Sequence, residues 1–201
     1  MSLRPIKSDP KLIAGLDVAY DLGQGMAFAA AVLYTFPLLE FLESVVVVEK
    51  ITFPYVPGLL SFRELPPLLS ALGKLSRTPD LLLVDGQGIC HPRRLGLASH
   101  LGVASGIASI GSAKSHLCGD YVIPNLVKGM HSPLLLAGEE VGAVLCTRSG
   151  VMPLFISPGH LCDIASAIRL VLACCRGYRL PEPQRQAHHL AEAAKRGSVD
   201  K

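Results

Sequence analysis

Three carboxylates carry the chemistry this sequence offers: Asp17, Glu64 and Asp85. Asp17 lies inside the short apolar run from Ile13 to Ala19. Glu64 closes the stretch Pro54-Tyr-Val-Pro-Gly-Leu-Leu-Ser-Phe-Arg-Glu64. Asp85 ends the run Leu81-Leu-Leu-Val84 and opens Asp85-Gly-Gln-Gly-Ile-Cys-His-Pro-Arg-Arg94. An acid at a strand end, beside glycine N–H groups and guanidinium forks, suits a hard metal ion held against a phosphodiester. Mg²⁺ takes oxygen ligands, usually one or two carboxylates with waters and phosphate oxygens. Such an ion acidifies water and neutralises charge on a leaving oxygen, so the pattern points toward nuclease chemistry. Taken singly, each acid can also be a solvated turn residue. Asp85 is the least ordinary, because Gly86 and Gly88 let other groups approach the backbone closely. Asp21, Asp80 and Glu139-Glu140 read as loop or turn acids.

Other residues extend this chemistry. Lys114 follows a short apolar strand and can stabilise phosphoryl-transfer charge or orient an attacking water; its plain alternative is a surface lysine. His91, beside Pro92-Arg93-Arg94, can contact a phosphate or a displaced nucleotide, or make a structural hydrogen bond. His160 precedes a helix and reads either as a metal ligand or proton carrier, or as part of a helix cap. His188-His189 read as solvent-facing. Tyr55 sits in a loop stiffened by Pro54 and Pro57, since proline fixes its own φ and restricts its predecessor. An aromatic at such a tip can fill the hole left by an extruded base, or pack on its own domain.

These groups must be positioned by a scaffold, and hydrophobic patterning supplies one. Ile13–Ala19, Ala27–Phe36 and Leu42–Phe53 read as three consecutive strands of an antiparallel meander, with turns at Gly23-Gln-Gly25 and Pro37–Glu40. Leu59–Leu75 has helical spacing, broken at Pro66-Pro67, where a second helical segment is expected to begin. Leu81–Val84 is a strand buried on both faces. Leu95–Val103 is helical and Ile107–Ile110 a short strand leading to Lys114. Leu134–Leu136, Gly142–Thr147 and Pro153–Ser157 follow as strands, then an apolar helix over Cys162–Cys175. From Pro181 the chain turns polar: a surface helix over Gln184–Arg196 and a frayed tail, with 182–201 as the polar end. This order predicts an α/β fold, a mixed sheet with helices on both faces. Asp17 and Asp85 would lie side by side if the first and fourth strands are neighbours.

With 201 residues, half of them hydrophobic and 17% charged, the chain is expected to form one domain with a substantial core. A net charge of +3 is too weak to imply nucleic-acid binding alone, but Arg93-Arg94, Lys114 and the tail arginines suggest a local patch. The six cysteines lack zinc-ligand spacing and read as reduced, mostly buried thiols. The uncharged runs Leu22–Leu39 and Leu95–Ala113 are interrupted by polar residues, glycines or proline, so no membrane span is expected. Lys7, Asp9 and Lys11 interrupt any secretory signal, and a cytoplasmic or nuclear location is expected.

Read together, Gly15-Leu-Asp-Val18, the Pro54–Glu64 stretch, Val84–Gly102, Ala113-Lys-Ser115 and Ser157-Pro-Gly-His160 resemble endonuclease V, the deoxyinosine 3′ endonuclease family. The likeness runs from about residue 13 to residue 175. It implies an RNase H-like fold and Mg²⁺-dependent nicking, with Mn²⁺ as a substitute. The cut falls at the second phosphodiester 3′ to a deaminated adenine and leaves 3′-hydroxyl and 5′-phosphate ends. By this resemblance Asp17, Glu64 and Asp85 form the metal site, with Lys114 and His160 supporting catalysis. Tyr55, Val56 and Pro57 match a strand-separating wedge. Gly58, Leu60, Gly86, His91, Leu97 and Leu117 match a pocket for flipped hypoxanthine, which lacks the 2-amino group that would make guanine clash. Gln87 departs from the His or Asn of many members. Ala165 stands where an acid is usual, with Asp163 two residues earlier. The amino-terminal helix of many members is largely missing.

The expectation is therefore a monomeric, inosine-directed, Mg²⁺-dependent DNA endonuclease acting in repair. Two alternatives are an endoribonuclease for inosine-containing RNA and a non-catalytic module that binds inosine lesions.

Overall fold

A computed structural model describes residues 2–199. Three long antiparallel strands come first: β1 (Leu12–Asp21), β2 (Met26–Thr35) and β3 (Phe41–Lys50). Helix α1 (Leu60–Gly73), strand β4 (Leu81–Val84), helix α2 (Leu97–Ser105) and strand β5 (Ala108–Ala113) follow. Then come β6 (Asp120–Tyr121), β7 (His131–Leu136), β8 (Glu139–Leu145) and β9 (Leu154–His160). Helices α3 (Ile164–Ala173) and α4 (Glu182–Val199) complete the order. The nine strands form one sheet, β3-β2-β1-β4-β5-β9-β8-β7-β6. β1, β4 and β5 run parallel and every other pair is antiparallel.

Side-chain alternation along the central strands builds two cores, one on each face. Ile13, Leu81 and Leu83 join Phe28, Ala30 and Val32 beneath α3 and α4. Ala14, Leu16, Leu82 and Val84 join Ala29, Ala31 and Leu33 beneath α1 and α2. The runs of Ala and Val that read as buried strands are therefore buried twice over, and Leu81–Val84 is fully buried. The expected mixed sheet with helices on both faces is the fold found. No helix among the described residues is long and apolar enough to cross a membrane. All six cysteines are free and five are buried. Burial pushes the Cys90, Cys162, Cys174 and Cys175 thiols up to about 12.

Four local expectations need correction. Pro66 and Pro67 do not begin a new helix; both lie within the continuous α1. Each removes an N–H from the helix ladder, yet Pro67, Leu68, Ala71 and Leu72 are buried on one face, and that burial carries the helix through. Glu139 and Glu140 begin β8 rather than forming a turn. A two-residue strand, β6, pairs with β7 in the stretch between the expected strands Ile107–Ile110 and Leu134–Leu136, where no element is expected. The polar end, finally, is not a surface appendage over its described part.

That carboxy-terminal helix packs on the sheet through a buried stripe. Gln184, Ala187 and Ala191 are fully buried. Facing them is Gly15 of β1, where an added Cβ would lie 2.1 Å from the carbonyl carbon and oxygen of Pro183. Backbone meets backbone there, which only glycine permits. Glu182 fixes the first turn by accepting from Arg185 Nη2 at 2.6 Å and from Gln186 Nε2 at 2.8 Å. Asp200 and Lys201, at the end of the expected tail, lie outside the described residues.

Candidate active site

The parallel pairing of β1 and β4 sets Leu16 opposite Val84. The next residue of each chain segment is an acid, so Asp17 and Asp85 emerge side by side at one end of the sheet. The Asp85 N–H donates to the Leu16 carbonyl at 3.2 Å and continues the ladder to that point. β5 is the next parallel strand, and Lys114 directly follows its last residue. Its Nζ lies 2.8 Å from Asp85 Oδ2. Glu64 reaches the same end from α1 on one face of the sheet. Asp17, Glu64, Asp85 and Lys114, expected together from sequence, converge.

The cluster is electrostatically loaded. Burial and then the Asp85 charge raise Asp17 to about 6, against the pull of His188 and the Val18 N–H. Burial, then Asp17 and Asp85, raise Glu64 to about 8, while Arg63 and the neighbouring Tyr20 pull it down. Three acids held this closely out of water call for a compensating cation. Lys114 pairs with Asp85, and Glu64 has no such ion pair among the described residues.

His188, solvent-facing by its sequence context, is placed otherwise by the structure. From α4 its Nδ1 donates to Asp17 Oδ2 at 2.6 Å. Asp17, Asp85 and His188 each offer a ligand atom within 4.8 Å of the others. Glu64 is outside that tight set, although its charge acts together with both aspartates. The signal that could have found His188 is the i, i+3, i+7 spacing of Gln184, Ala187 and Ala191, a single helix face that can pack on the sheet and carries the histidine with it. Tyr20 and Arg63 also escape sequence reasoning. The Arg63 guanidinium stacks on the Tyr20 ring at 4.3 Å, beside Glu64.

His160 is not part of this cluster. It ends β9, antiparallel to β5, and pairs with Ser109 at the far end of that strand. Five residue steps of strand, about 16 Å, separate Ser109 from Lys114. There His160 Nδ1 accepts from the Ser2 N–H at 3.2 Å. Asp163 is engaged elsewhere too: its Oδ1 caps α3 by accepting from the Ser166 N–H at 2.8 Å.

Beside the acids lies a cleft of about 430 Å³ that Glu64, Asp85 and Lys114 share with all six expected pocket residues. Gly58, Leu60, Gly86, His91, Leu97 and Leu117 line it, with Tyr55 at its rim. Val56 and Pro57 are in the same loop but outside the lining. Gly86 has φ +157°, and a Cβ there would press on Leu97 at 3.3 Å, so a small residue keeps the wall open. Gln87 is buried and donates from Nε2 to the Ser115 carbonyl at 3.2 Å, bracing the segment that follows Lys114. A larger depression, about 940 Å³, lies at the opposite end against residues 4–11. It is remote from the acid cluster, so the chemistry follows the smaller one.

The carboxy-terminal segment locks onto this end of the sheet. Arg179 Nη2 donates to the carbonyls of Lys114 and Pro153, each at 2.8 Å. Gln184 Nε2 donates to the Ser112 carbonyl at 2.8 Å. Arg94, expected to help form a basic patch, pairs instead with Glu139 of β8.

Comparison with known proteins finds the family model for Endonuclease V matching residues 1–189. An endonuclease V of Azotobacter vinelandii is 51% identical over 189 residues, covering 94% of this chain and 86% of that protein. The crystal structure of endonuclease V from Streptomyces avermitilis superposes with a TM-score of 0.93 at 42% identity, covering 98% of this chain and 88% of the other. Endonuclease V of Ciona intestinalis, in complex with a 24mer DNA containing an inosine followed by a ribo-adenosine, superposes with a TM-score of 0.83. Its identity is 25%, over 97% of this chain and 92% of that one.

Proposed function

The chain belongs to the endonuclease V family and is a nuclease that hydrolyses phosphodiester bonds, and we propose that its substrate is DNA carrying deoxyinosine. The cut falls at the second phosphodiester 3′ to the lesion and leaves 3′-hydroxyl and 5′-phosphate ends. The observation that carries this reading is the convergence of Asp17, Glu64, Asp85 and Lys114 at one end of the sheet, the last three lining one cleft. The same reading has the protein act as a monomer in the cytoplasm or nucleus, with residues 1–201 as a single nuclease domain.

Mg²⁺ fits the residues present. The donors are hard oxygens, and the raised proton affinities of Asp17 and Glu64 reflect a repulsion that a divalent cation would relieve. Asp17 and Asp85 would hold the ion, with Glu64 behind them; Mn²⁺ satisfies the same donors. When bound, the ion supplies acidification of water and neutralisation of charge on the leaving oxygen.

The remaining roles belong to the chain. Lys114 holds Asp85 in place and sets a positive charge where the phosphate must lie. His188, tied to Asp17 through Nδ1, leaves Nε2 as the ring atom that exchanges a proton during hydrolysis. It takes the role that the family resemblance gives to His160. Tyr55, with Val56 and Pro57, separates the strands. The flipped hypoxanthine enters the cleft between Gly86 and Leu97, against Leu60, His91 and Leu117, with the Gly58 backbone at its edge.

A labelled duplex with one deoxyinosine, incubated with Mg²⁺, tests the reading. Wild type should nick it at the second bond, and Asp85→Asn should not. Absence of a nick, or undiminished nicking by the variant, removes the assignment. Inosine-containing RNA is the second reading, favoured by the ribo-adenosine after inosine in the Ciona complex. Matched RNA and DNA oligonucleotides in one titration separate the two.

A further inference from the structure

We propose that Arg93 is a positioning residue that pins the Tyr55 loop over the pocket and so governs the opening of duplex substrate rather than the cutting of the strand. The proposal rests on the inosine-nuclease reading above. The loop is stiff within itself: prolines stand at 54 and 57, and the Leu59 N–H closes a turn onto the Val56 carbonyl at 2.9 Å. Its aromatic tip is not packed on the domain, since Tyr55 is 64% exposed. A stiff loop with a free tip moves mainly as a unit about its ends, so one restraint near an end fixes where the aromatic points.

Arg93 provides that restraint. Its Nη1 donates to the Gly58 carbonyl at 2.9 Å. Gly58 has φ +77°, a conformation that favours glycine and turns the loop where the guanidinium meets it. The Arg93 backbone N–H donates to His91 Nδ1 at 3.2 Å, so the same residue is tied to the pocket wall. Loop and pocket are therefore coupled through one residue from a different stretch of sequence, its side chain holding the loop and its backbone N–H the pocket wall. Arg93 makes no ion pair among the described residues, and its neighbour Arg94 is turned away to Glu139.

A phosphate contact and a loop restraint predict different things. Loss of a phosphate contact weakens binding to every substrate alike and flattens the salt dependence. Loss of the restraint harms only substrates whose strands must be parted. Three deoxyinosine substrates distinguish these: a single strand, a duplex, and a duplex already opened by mismatches around the lesion. Arg93→Gln should lose about tenfold or more in kcat/KM on the intact duplex, in line with the cost of a misplaced contact. It should stay within about threefold on the other two. Arg93→Lys keeps the charge but not the fork that reaches Gly58, and should show the same selective loss. Equal losses on all three substrates, or wild-type duplex cutting by either variant, would overturn the proposal. A wild-type protein that cuts none of the three removes the functional reading first, and the proposal with it.

Discussion

His188 Nδ1 lies 2.6 Å from Asp17 Oδ2, although 171 residues separate the two in the chain. The contact joins the last helix to the first strand and gives the acid cluster an imidazole. His188→Ala should therefore lower the nicking rate by on the order of 10²-fold, the usual size of a proton-transfer contribution. The side chain is 37% exposed, so the melting temperature should change little. Steady-state rates with a circular-dichroism melt check both, and full activity in the variant would remove His188 from the chemistry.

Asp85 sits between Asp17 and Lys114, and its replacement disturbs both partners at once. Asp85→Asn should cut the rate by about 10³-fold, as loss of a preorganised charge does elsewhere. It should also relieve Asp17 and Glu64 of one repulsive neighbour. In chelator the variant should then resist urea at least as well as wild type at pH 8. A variant both active and less stable would contradict the electrostatic account.

Stability should depend on pH in a definite direction when divalent ions are chelated. In the folded protein Asp17 and Glu64 keep their protons to about 6 and about 8, against ordinary values of 3.8 and 4.5. Over that window the folded state binds more protons than the unfolded one, so stability falls as pH rises. A tenfold change in proton affinity corresponds to about 1.4 kcal/mol, so a loss of at least that order is expected between pH 5.5 and 8. Saturating Mg²⁺ should remove most of the slope, and Glu64→Gln should flatten it. Urea midpoints in EDTA at the two pH values decide this; a flat profile would refute it.

Gly15 is a packing position with a catalytic consequence. Gly15→Ala places a methyl group 2.1 Å from the Pro183 carbonyl, an overlap that must push α4 outward. Overpacking of this kind costs about 1–3 kcal/mol. Because α4 carries His188, nicking should fall along with the urea midpoint. Retained stability and retained rate together would mean that the helix does not depend on this contact.

Much of this architecture is legible in the chain because it is written in local patterns. Continuous apolar runs mark β2 and β4 as strands, and an acid immediately after Val84 marks the end of the sheet where chemistry collects. The adjacency of Asp17 and Asp85 follows once the first and fourth strands are neighbours, as the register of Leu16 with Val84 has it. The failures share a different cause. His188 belongs to a helix that is polar by composition, and the burial of that helix's inner face at Gln184, Ala187 and Ala191 is visible only when Gly15 is known to face it. His160 follows a glycine before a helix, which looks like a site, but β9 runs antiparallel to β5 and carries it to the opposite end. Pro66-Pro67 breaks the local helical rule, and the buried face of α1 overrides it.

The order in which the parts are made has its own consequence. A ribosome emits all three acids by residue 85, the lysine at 114, and the imidazole only at 188, after every strand has left the exit tunnel. A protein cut ahead of Pro181 keeps all three acids and Lys114 but loses the imidazole bonded to Asp17 and the Ala187 and Ala191 side chains that cover one face of the sheet. Such a fragment should therefore fold poorly and cut poorly at once.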